Sequence, residues 1–454
     1  MNKEIKIALL MASSLFIEIL DGTIVTTALP KIAEFFSIQV STVSVLISVY
    51  FITVAVFIPL SGWAAKKYGK KNLWLVAVLG FTLSSLGNAI APNFIILLVM
   101  RIIQGVSGAL MLPTARLIVL ESTPPNKMLK MTSYLVWPAL IAPAIAPLIG
   151  GAIVTYLNWQ WIFFINIPIG LTSIFIGIFL IPNDYKRYND KFDLFGFMGI
   201  AISSIFLLTG SELLTQSSNF ANLTGGFGVI IGFITMLIVY VHLKNSKKPL
   251  FSIDSLKVLT FRITQTSGSI LWVSVGAMPY LLTIYLQNIF EWSAIKAGTF
   301  VLFIFIGNIT IKPFTTIIIK NLRYKNTLQT AFLLVLLSSG LLSLINVETP
   351  HAIIMLLAFL SGVGRSLALT AYNGLNLSEI SIENRNSANT LNSVTKTFAQ
   401  GLGVTLIAIV LHFLQLNWSG EIAYKLGFIF LGVLMLYPIY ETSKLDSDIG
   451  SNTI

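Results

Sequence analysis

Fourteen stretches of this chain are long and apolar enough to cross the hydrocarbon core of a bilayer as helix, which takes about 20 residues. They cover residues 6–29, 41–64, 72–90, 93–120, 130–156, 161–181, 193–214, 224–243, 262–289, 295–316, 326–345, 350–374, 389–414 and 420–438. Only 10% of the 454 residues are charged, against about 25% in a soluble chain. The expected fold class is therefore all-α integral membrane. Glu18 and Asp21 interrupt the first stretch, and no small-residue cleavage site follows it before the second. It is expected to stay as a first helix rather than to leave as a signal peptide. With no cysteine and only His242, His351 and His412, far apart in sequence, neither a metal site nor a cofactor is expected.

The distribution of Lys and Arg sets the orientation. With the N-terminus inside, twenty-one of the 29 fall on inner segments, and only Lys31, Lys296 and Lys425 on outer ones. Both termini are thus expected in the cytoplasm. The net charge of +11 follows from this inside bias rather than from a nucleic-acid partner, because no polar stretch is long enough to form a basic soluble domain. Spacing divides the chain into a six-helix lobe over 1–190, an inserted helix pair with linker over 191–248, a second six-helix lobe over 249–440 and a cytoplasmic tail over 441–454. A basic inner loop follows the second helix of each lobe, Lys66 to Lys71 and Lys320 to Lys325, as a repeat requires. Parallel six-helix halves place a substrate site between them, near the midplane.

Five basic residues, Arg101, Arg116, Lys312, Arg365 and Lys396, lie inside the apolar stretches. In helix 1, Asp21 is roughly 22 Å from Lys6 at about 1.5 Å per residue, and Glu18 shares its face one turn earlier. Intramembrane carboxylates are costly and mark functional positions by default; the plainer role is a structural hydrogen bond to neighbouring helices. Arg101 lies roughly 12 Å into helix 4, at the depth of Asp21. A buried guanidinium needs an anionic partner or carbonyls, and Asp21 or Glu18 can supply one. If protonation of that carboxylate releases the Arg, the pair couples a proton to movement; otherwise it is a permanent structural pair. Arg116, nearer the cytoplasm, reads first as a snorkelling side chain.

Helix 5 carries Pro143 and Pro147 four residues apart, followed by Gly150 and Gly151. Each proline removes a backbone hydrogen bond, so a bend is expected there, serving either movement or packing alone. The inner loop from Gly62 to Lys71 combines turn glycines with Lys66, Lys67, Lys70 and Lys71. Gly62, Lys66, Lys67, Gly69 and Lys70 are candidates for a cytoplasmic gate, besides anchoring topology. No phosphate loop, metalloprotease helix or nucleophile elbow is present. The chain is not expected to be an enzyme or to hydrolyse ATP, which leaves an ion gradient as its energy source.

The segments Leu20-Asp21 to Pro30, Gly62 to Lys71, Arg101 to Gly108, Pro143 to Gly151, Asn158 to Gly170 and Phe192 to Phe197 resemble the major facilitator superfamily. The likeness is to its fourteen-helix drug:proton antiporter branch of EmrB/QacA type, over nearly the whole chain. Within that branch, Ser61-Gly62-Trp63 and Gln104-Gly105 through Pro113 and Arg116 look most like the MdtD type. Tyr285-Leu286-Gln287, with Ala297-Gly298, looks like the seventh helix. The resemblance implies the major facilitator fold, transport roles for Asp21 and Arg101, and a cavity between lobes for which Gln104, Arg116, Gln287, Lys312 and Arg365 are candidates. Lys66 stands where the family usually has Asp, so the Asp-centred latch between helices 2 and 11 cannot form in that way. Ala142 and Ala146 stand where the antiporter segment usually has Gly.

The leading expectation is a proton-coupled exporter of amphipathic drugs or toxic compounds in the bacterial inner membrane, monomeric, with a small molecule, protons and lipid as its partners. A second is a dedicated exporter of a metabolite, siderophore or metal–citrate complex. A drug cavity should be apolar and aromatic with isolated carboxylates, whereas an anion cavity should carry unpaired cations. A non-transporting sensor or scaffold is the reading from another class, and the idle charges it leaves in lipid speak against it.

Overall fold

Bilayer hydrocarbon offers no water to backbone N–H and C=O groups, so a spanning chain must satisfy them within helices or a closed barrel. This chain uses helices. The computed structural model describes residues 3–38, 40–124, 127–183, 191–214, 219–246, 248–292, 294–415 and 417–450, and among them there is no β-strand. The first half contains α1 (Lys3–Phe36), α2 (Val40–Tyr68), α3 (Lys70–Ala89), α4 (Phe94–Glu121), α5 (Met128–Tyr156), α6 (Trp161–Phe164) and α7 (Asn166–Leu180). A hairpin of α8 (Leu194–Leu213) and α9 (Asn219–Asn245) follows. The second half contains α10 (Leu259–Asn288), α11 (Ala294–Thr310), α12 (Lys312–Leu342), α13 (His351–Leu375), α14 (Arg385–Gln415), α15 (Gly420–Val433) and α16 (Leu436–Ser443).

Each expected stretch is helical, but several are broken, and prolines account for the breaks. The stretch 161–181 divides into α6 and α7, which end and begin on either side of Ile165. Pro168 has no N–H to give Phe164, and its ring crowds that carbonyl. Pro438 stands in the same relation to Leu434, where α15 gives way to α16. Pro313, at the start of α12, marks the 54° bend from α11. Ten helices among the described residues are long and apolar enough to span a membrane by themselves, or eleven if that bent pair forms one span.

The same pairings occur in both halves. α1 packs on α5, α2 on α4 and α3 on α4; correspondingly α10 packs on α14, α11 on α13 and α12 on α13. Close backbone approach recurs as well: a Cβ on Gly105 would lie 3.0 Å from the Tyr50 carbonyl of α2, and one on Gly362 would lie 1.9 Å from the Ile304 carbonyl of α11. Such small residues let apolar helices meet where no hydrophobic effect drives them together. The halves touch through α2, α4 and α5 on one side and α11, α12, α13 and α14 on the other. The α8–α9 hairpin rests on α2 and α14. Asp193 ties its base together, accepting from Gly196 N at 2.9 Å and Leu250 N at 3.0 Å and meeting His242 Nε2 at 2.9 Å. Phe227, Leu237 and Val241 of α9 are exposed, as a lipid-facing helix requires.

The turn after the second helix of each half has one special residue. Gly69, between α2 and α3, has φ 85° and ψ 147°. Arg323, inside the span assigned to α12, has φ 63° and ψ 168° and divides that helix in two. This is the expected inner loop of the second half. Its backbone lies in a region that glycine occupies freely and that strains other residues by about 1–3 kcal/mol. The Arg323 side chain meets Asp448 at 3.5 Å on the surface, worth about 0–1 kcal/mol. Replacing Arg323 with Gly is therefore expected to raise the thermal unfolding temperature of detergent-solubilised protein. An unchanged or lower temperature contradicts the assigned strain.

Candidate functional site

Asn93 begins α4 by accepting the Ile96 N–H at 2.9 Å, and two turns further Arg101 is fully buried. Of the two carboxylates expected as its partner, Asp21 is the one in reach: Arg101 Nη1 donates to Asp21 Oδ2 at 2.6 Å. The same nitrogen donates to Gln104 Oε1 at 2.6 Å, and Nε reaches the Leu46 carbonyl at 3.4 Å. The guanidinium also lies over the Tyr50 ring, 4.6 Å from its centre, and 5.7 Å from that of Phe163.

Amide side chains take up the remaining polar capacity. Gln104 Nε2 donates to Asp21 Oδ1 at 3.1 Å and to Ser85 Oγ at 2.8 Å, while Gln104 Oε1 accepts from Asn88 Nδ2 at 2.8 Å. Asn166 Nδ2 donates to Asp21 Oδ1 at 2.9 Å. Asp21, Ser85, Asn88, Arg101, Gln104 and Asn166 all have 0% exposure. The network thus holds α1, α2, α3, α4 and α7 through one ion pair, and both charges of that pair are hydrogen-bonded as burial demands, Arg101 as donor and Asp21 as acceptor. Glu18, one turn before Asp21, lies apart from it. Its Oε2 and the Tyr50 hydroxyl are buried without a hydrogen-bond partner, and a Cβ on Gly108 would lie 3.2 Å from that hydroxyl and 3.6 Å from Glu18 Cδ.

A narrow cavity lies where the halves face each other, lined by Arg116 of α4, Thr132 of α5, Asn373 of α13 and Asn376 just beyond it, and Asn389 and Asn392 of α14, with Val119, Leu120 and Leu135 among its apolar walls. A second, smaller one shares Arg116, Asn373, Asn376 and Asn392 and adds Trp272 and Lys396. Lys396 lies over the Trp272 ring at 4.2 Å. Beside the cavity, Asn386 Nδ2 donates to the Gly62 carbonyl at 2.7 Å and Asn389 Nδ2 to the Pro113 carbonyl at 3.0 Å. A Cβ on Gly62 would come within 2.3 Å of Thr390 Oγ1. Contact between α2 and α14 is thus made by the Asn386 amide and close packing at Gly62, without the carboxylate absent at Lys66.

The other expected positions are scattered. Gln104 belongs to the Arg101 network, and Gln287 is half-buried at the end of α10. Lys312 Nζ donates to Thr370 Oγ1 at 2.7 Å, and Arg365 donates to the Ser361 carbonyl at 3.1 Å and Ser274 Oγ at 2.9 Å; neither lines these cavities. Lys67 packs over Trp63 at 4.7 Å, and Lys70 pairs with Glu121. Residues 143 and 147 lie within α5, and their side chains lie outside the described ones. Gly150 meets Ile24 and Thr27 of α1, whereas Gly151 faces open space. Sequence reasoning passed over Asn166, Ser85 and Asn88, and over the asparagines of α13 and α14, although an amide within an apolar stretch is itself a signal. Among the described residues no group of three or more His, Asp or Glu side chains could hold a metal ion.

Long apolar helices in two similarly packed halves, with a buried charge pair in the first and a cavity of mixed polar and apolar lining between them, match the build of a multi-pass membrane transporter. The sequence pattern of the Major Facilitator Superfamily matches residues 11–404, and the chain belongs to that family. It is 32% identical over 410 residues to the multidrug resistance protein MdtD of Pectobacterium carotovorum, covering 88% of this chain and 86% of that one. It is 28% identical to MdtD of Enterobacter sp., covering 98% and 95%. Its fold is similar to that of the human organic anion transporter MFSD10, with a TM-score of 0.68 at 15% identity over 97% of this chain and 100% of that one. Like these bacterial relatives, it is a multi-pass protein of the inner membrane.

Because Asn166 supplies one of the donors to Asp21, changing it to Leu is expected to lower stability by about 1–3 kcal/mol, the cost of a buried acceptor losing its partner. Asn166→Asp should cost more, since it sets a second carboxylate against the first. Thermal unfolding in detergent checks both; a Leu variant as stable as the parent contradicts the network.

Proposed function

We propose that the chain is a proton-coupled secondary active exporter of amphipathic drugs or toxic compounds, working by alternating access. The observation that carries this reading is the buried Asp21–Arg101 pair with Glu18 one turn away, a set of charges too costly in lipid to be kept without use. Protonation of a carboxylate beside a guanidinium weakens their attraction, and two rocking halves can present that carboxylate to opposite sides of the membrane in turn. The name of the MdtD relatives supports drugs as cargo.

The reading includes fourteen crossings: the ten spans, α5, α8, and the α11–α12 stretch counted as two because it turns at Arg323. It places both termini in the cytoplasm, and it takes 1–190 and 249–440 as the moving lobes, 191–248 as the inserted pair and 441–454 as the tail. The contact of Gly62 with α14 then forms the cytoplasmic gate, with Lys66, Lys67, Gly69 and Lys70 beside it. Pro143, Pro147, Gly150 and Gly151 form the flexible antiporter segment, and the transporter works as a monomer.

A second reading, a dedicated exporter of a metabolite, siderophore or metal–citrate complex, is favoured by one observation. Arg116 and Lys396 face the cavity among asparagines, which suits an anionic cargo better than a cationic one. Proton flux in proteoliposomes, measured with cationic dyes and with citrate-type anions, separates the two. With whichever cargo moves, the double variant Glu18→Gln, Asp21→Asn is expected to bind it yet lose uphill export driven by a pH gradient. Full uphill export by that variant shows that the proton travels elsewhere.

A further inference from the structure

The smaller cavity has an aromatic wall. Gly268 and Trp272 are four residues apart and so share one face of α10. Tyr372 of α13 packs against that face, since a Cβ on Gly268 would lie 3.9 Å from the Tyr372 ring. Both rings line the cavity, Trp272 half-buried and Tyr372 buried. The face of an aromatic ring is its negative side and attracts cations, quaternary ammonium groups among them.

Here that position is already occupied from within the protein. Lys396 of α14 holds its ammonium over the Trp272 ring, 4.2 Å from the centre. Among the described residues this ammonium makes no hydrogen bond and no ion pair, and no Asp or Glu lines either cavity. Nothing anionic in the lining draws Lys396 off the ring. A cation entering from outside must displace it or lie beside a like charge, and Arg116 of the first half adds a second positive charge to the same lining.

What the cavity has in excess is hydrogen-bond donors. The side-chain oxygens of Asn376 and Asn392 already accept from Gln265 Nε2, at 2.9 and 3.3 Å, which leaves their N–H groups for another acceptor. The Tyr372 hydroxyl is buried without a partner. Two cations and these neutral donors match an acceptor-rich, negatively charged group.

We propose that Lys396 is a built-in occupant of the cation position on Trp272 and sets the charge of the cargo: it keeps organic cations off the aromatic wall and, with Arg116, holds the anionic group of an amphipathic anion. The apolar body of such a molecule lies against Leu369 and the two rings. This assignment rests on the exporter reading above, in which the cavity holds the cargo, and narrows that cargo by charge.

Two probes of similar size and opposite charge test it, benzyltrimethylammonium and benzenesulfonate, with binding to the purified full-length protein in detergent measured by equilibrium dialysis. The parent is expected to prefer benzenesulfonate. Lys396→Ala uncovers the ring and should bind benzyltrimethylammonium at least about tenfold more tightly than the parent, the scale of one desolvated cation–π contact. It should also bind benzenesulfonate more weakly. Lys396→Arg keeps both charge and cover and should behave as the parent does, and adding Trp272→Leu to Lys396→Ala should abolish the gain. Thermal unfolding shows that each variant is folded, and Lys396→Gln carries the same prediction if the Ala variant does not fold. A parent that prefers the cation, no gain on neutralising Lys396, or a gain that survives the loss of Trp272 overturns the assignment, as does an unchanged affinity for benzenesulfonate. Transport of both probes by the parent under a pH gradient is measured separately in liposomes: a probe that binds but is not moved defeats the exporter reading and leaves the charge assignment standing.

Discussion

Taking a guanidinium out of water into the middle of a bilayer is so unfavourable that the first half of this protein is arranged around making it tolerable. Arg101 is compatible with its position because Asp21 lies 2.6 Å away and because Gln104 and Asn166 hydrogen-bond the pair, themselves held by Ser85 and Asn88. A buried pair of this kind contributes little net stability compared with a well-packed apolar core, yet breaking it is costly. It fixes the register of α1 against α3, α4 and α7, since each contributes a group that fits in one alignment only. Apolar packing in lipid would not specify that register so sharply.

The second half repeats the helix pairings but, among the described residues, not the buried ion pair. Where α4 has Gln104-Gly105-Val106 and then Gly108, α13 has Ser361-Gly362-Val363 and then Arg365. Gly108 leaves room against Tyr50 and Glu18. Arg365, in the corresponding place, bonds to serines. The closely approaching glycine is retained in both halves because packing demands it, whereas the ion-pair network occurs once among the described residues. Such asymmetry suits a carrier in which one half handles the ion and both shape the cavity.

Much of the fold was legible in the sequence, because the apolar stretches are long and helix is the cheapest way to satisfy their backbone. Their division was less so. Pro168, Pro313 and Pro438 each break a helix, while Pro30, Pro59, Pro113 and Pro279 lie inside helices that continue, and only the surrounding packing distinguishes the two outcomes. Asp21 and Arg101 stood out, being charges in apolar stretches at equal depth. Asn166 and the asparagines lining the cavity did not, since an amide costs far less to bury than a charge and its partner is set by tertiary contact. Lys396 was visible as a basic residue within a stretch, but only the packing of α14 against the first half brings it to the same cavity as Arg116.

The claim that one buried pair organises the first half is tested most directly by a double-mutant cycle on unfolding free energy in detergent, using Asp21→Asn, Arg101→Gln and their combination. Each single change leaves a buried charge without its partner and is expected to cost about 3–5 kcal/mol. The combined variant should lose clearly less than the sum of the two, the signature of coupled residues. Single changes that are nearly neutral, or that simply add, would contradict the account.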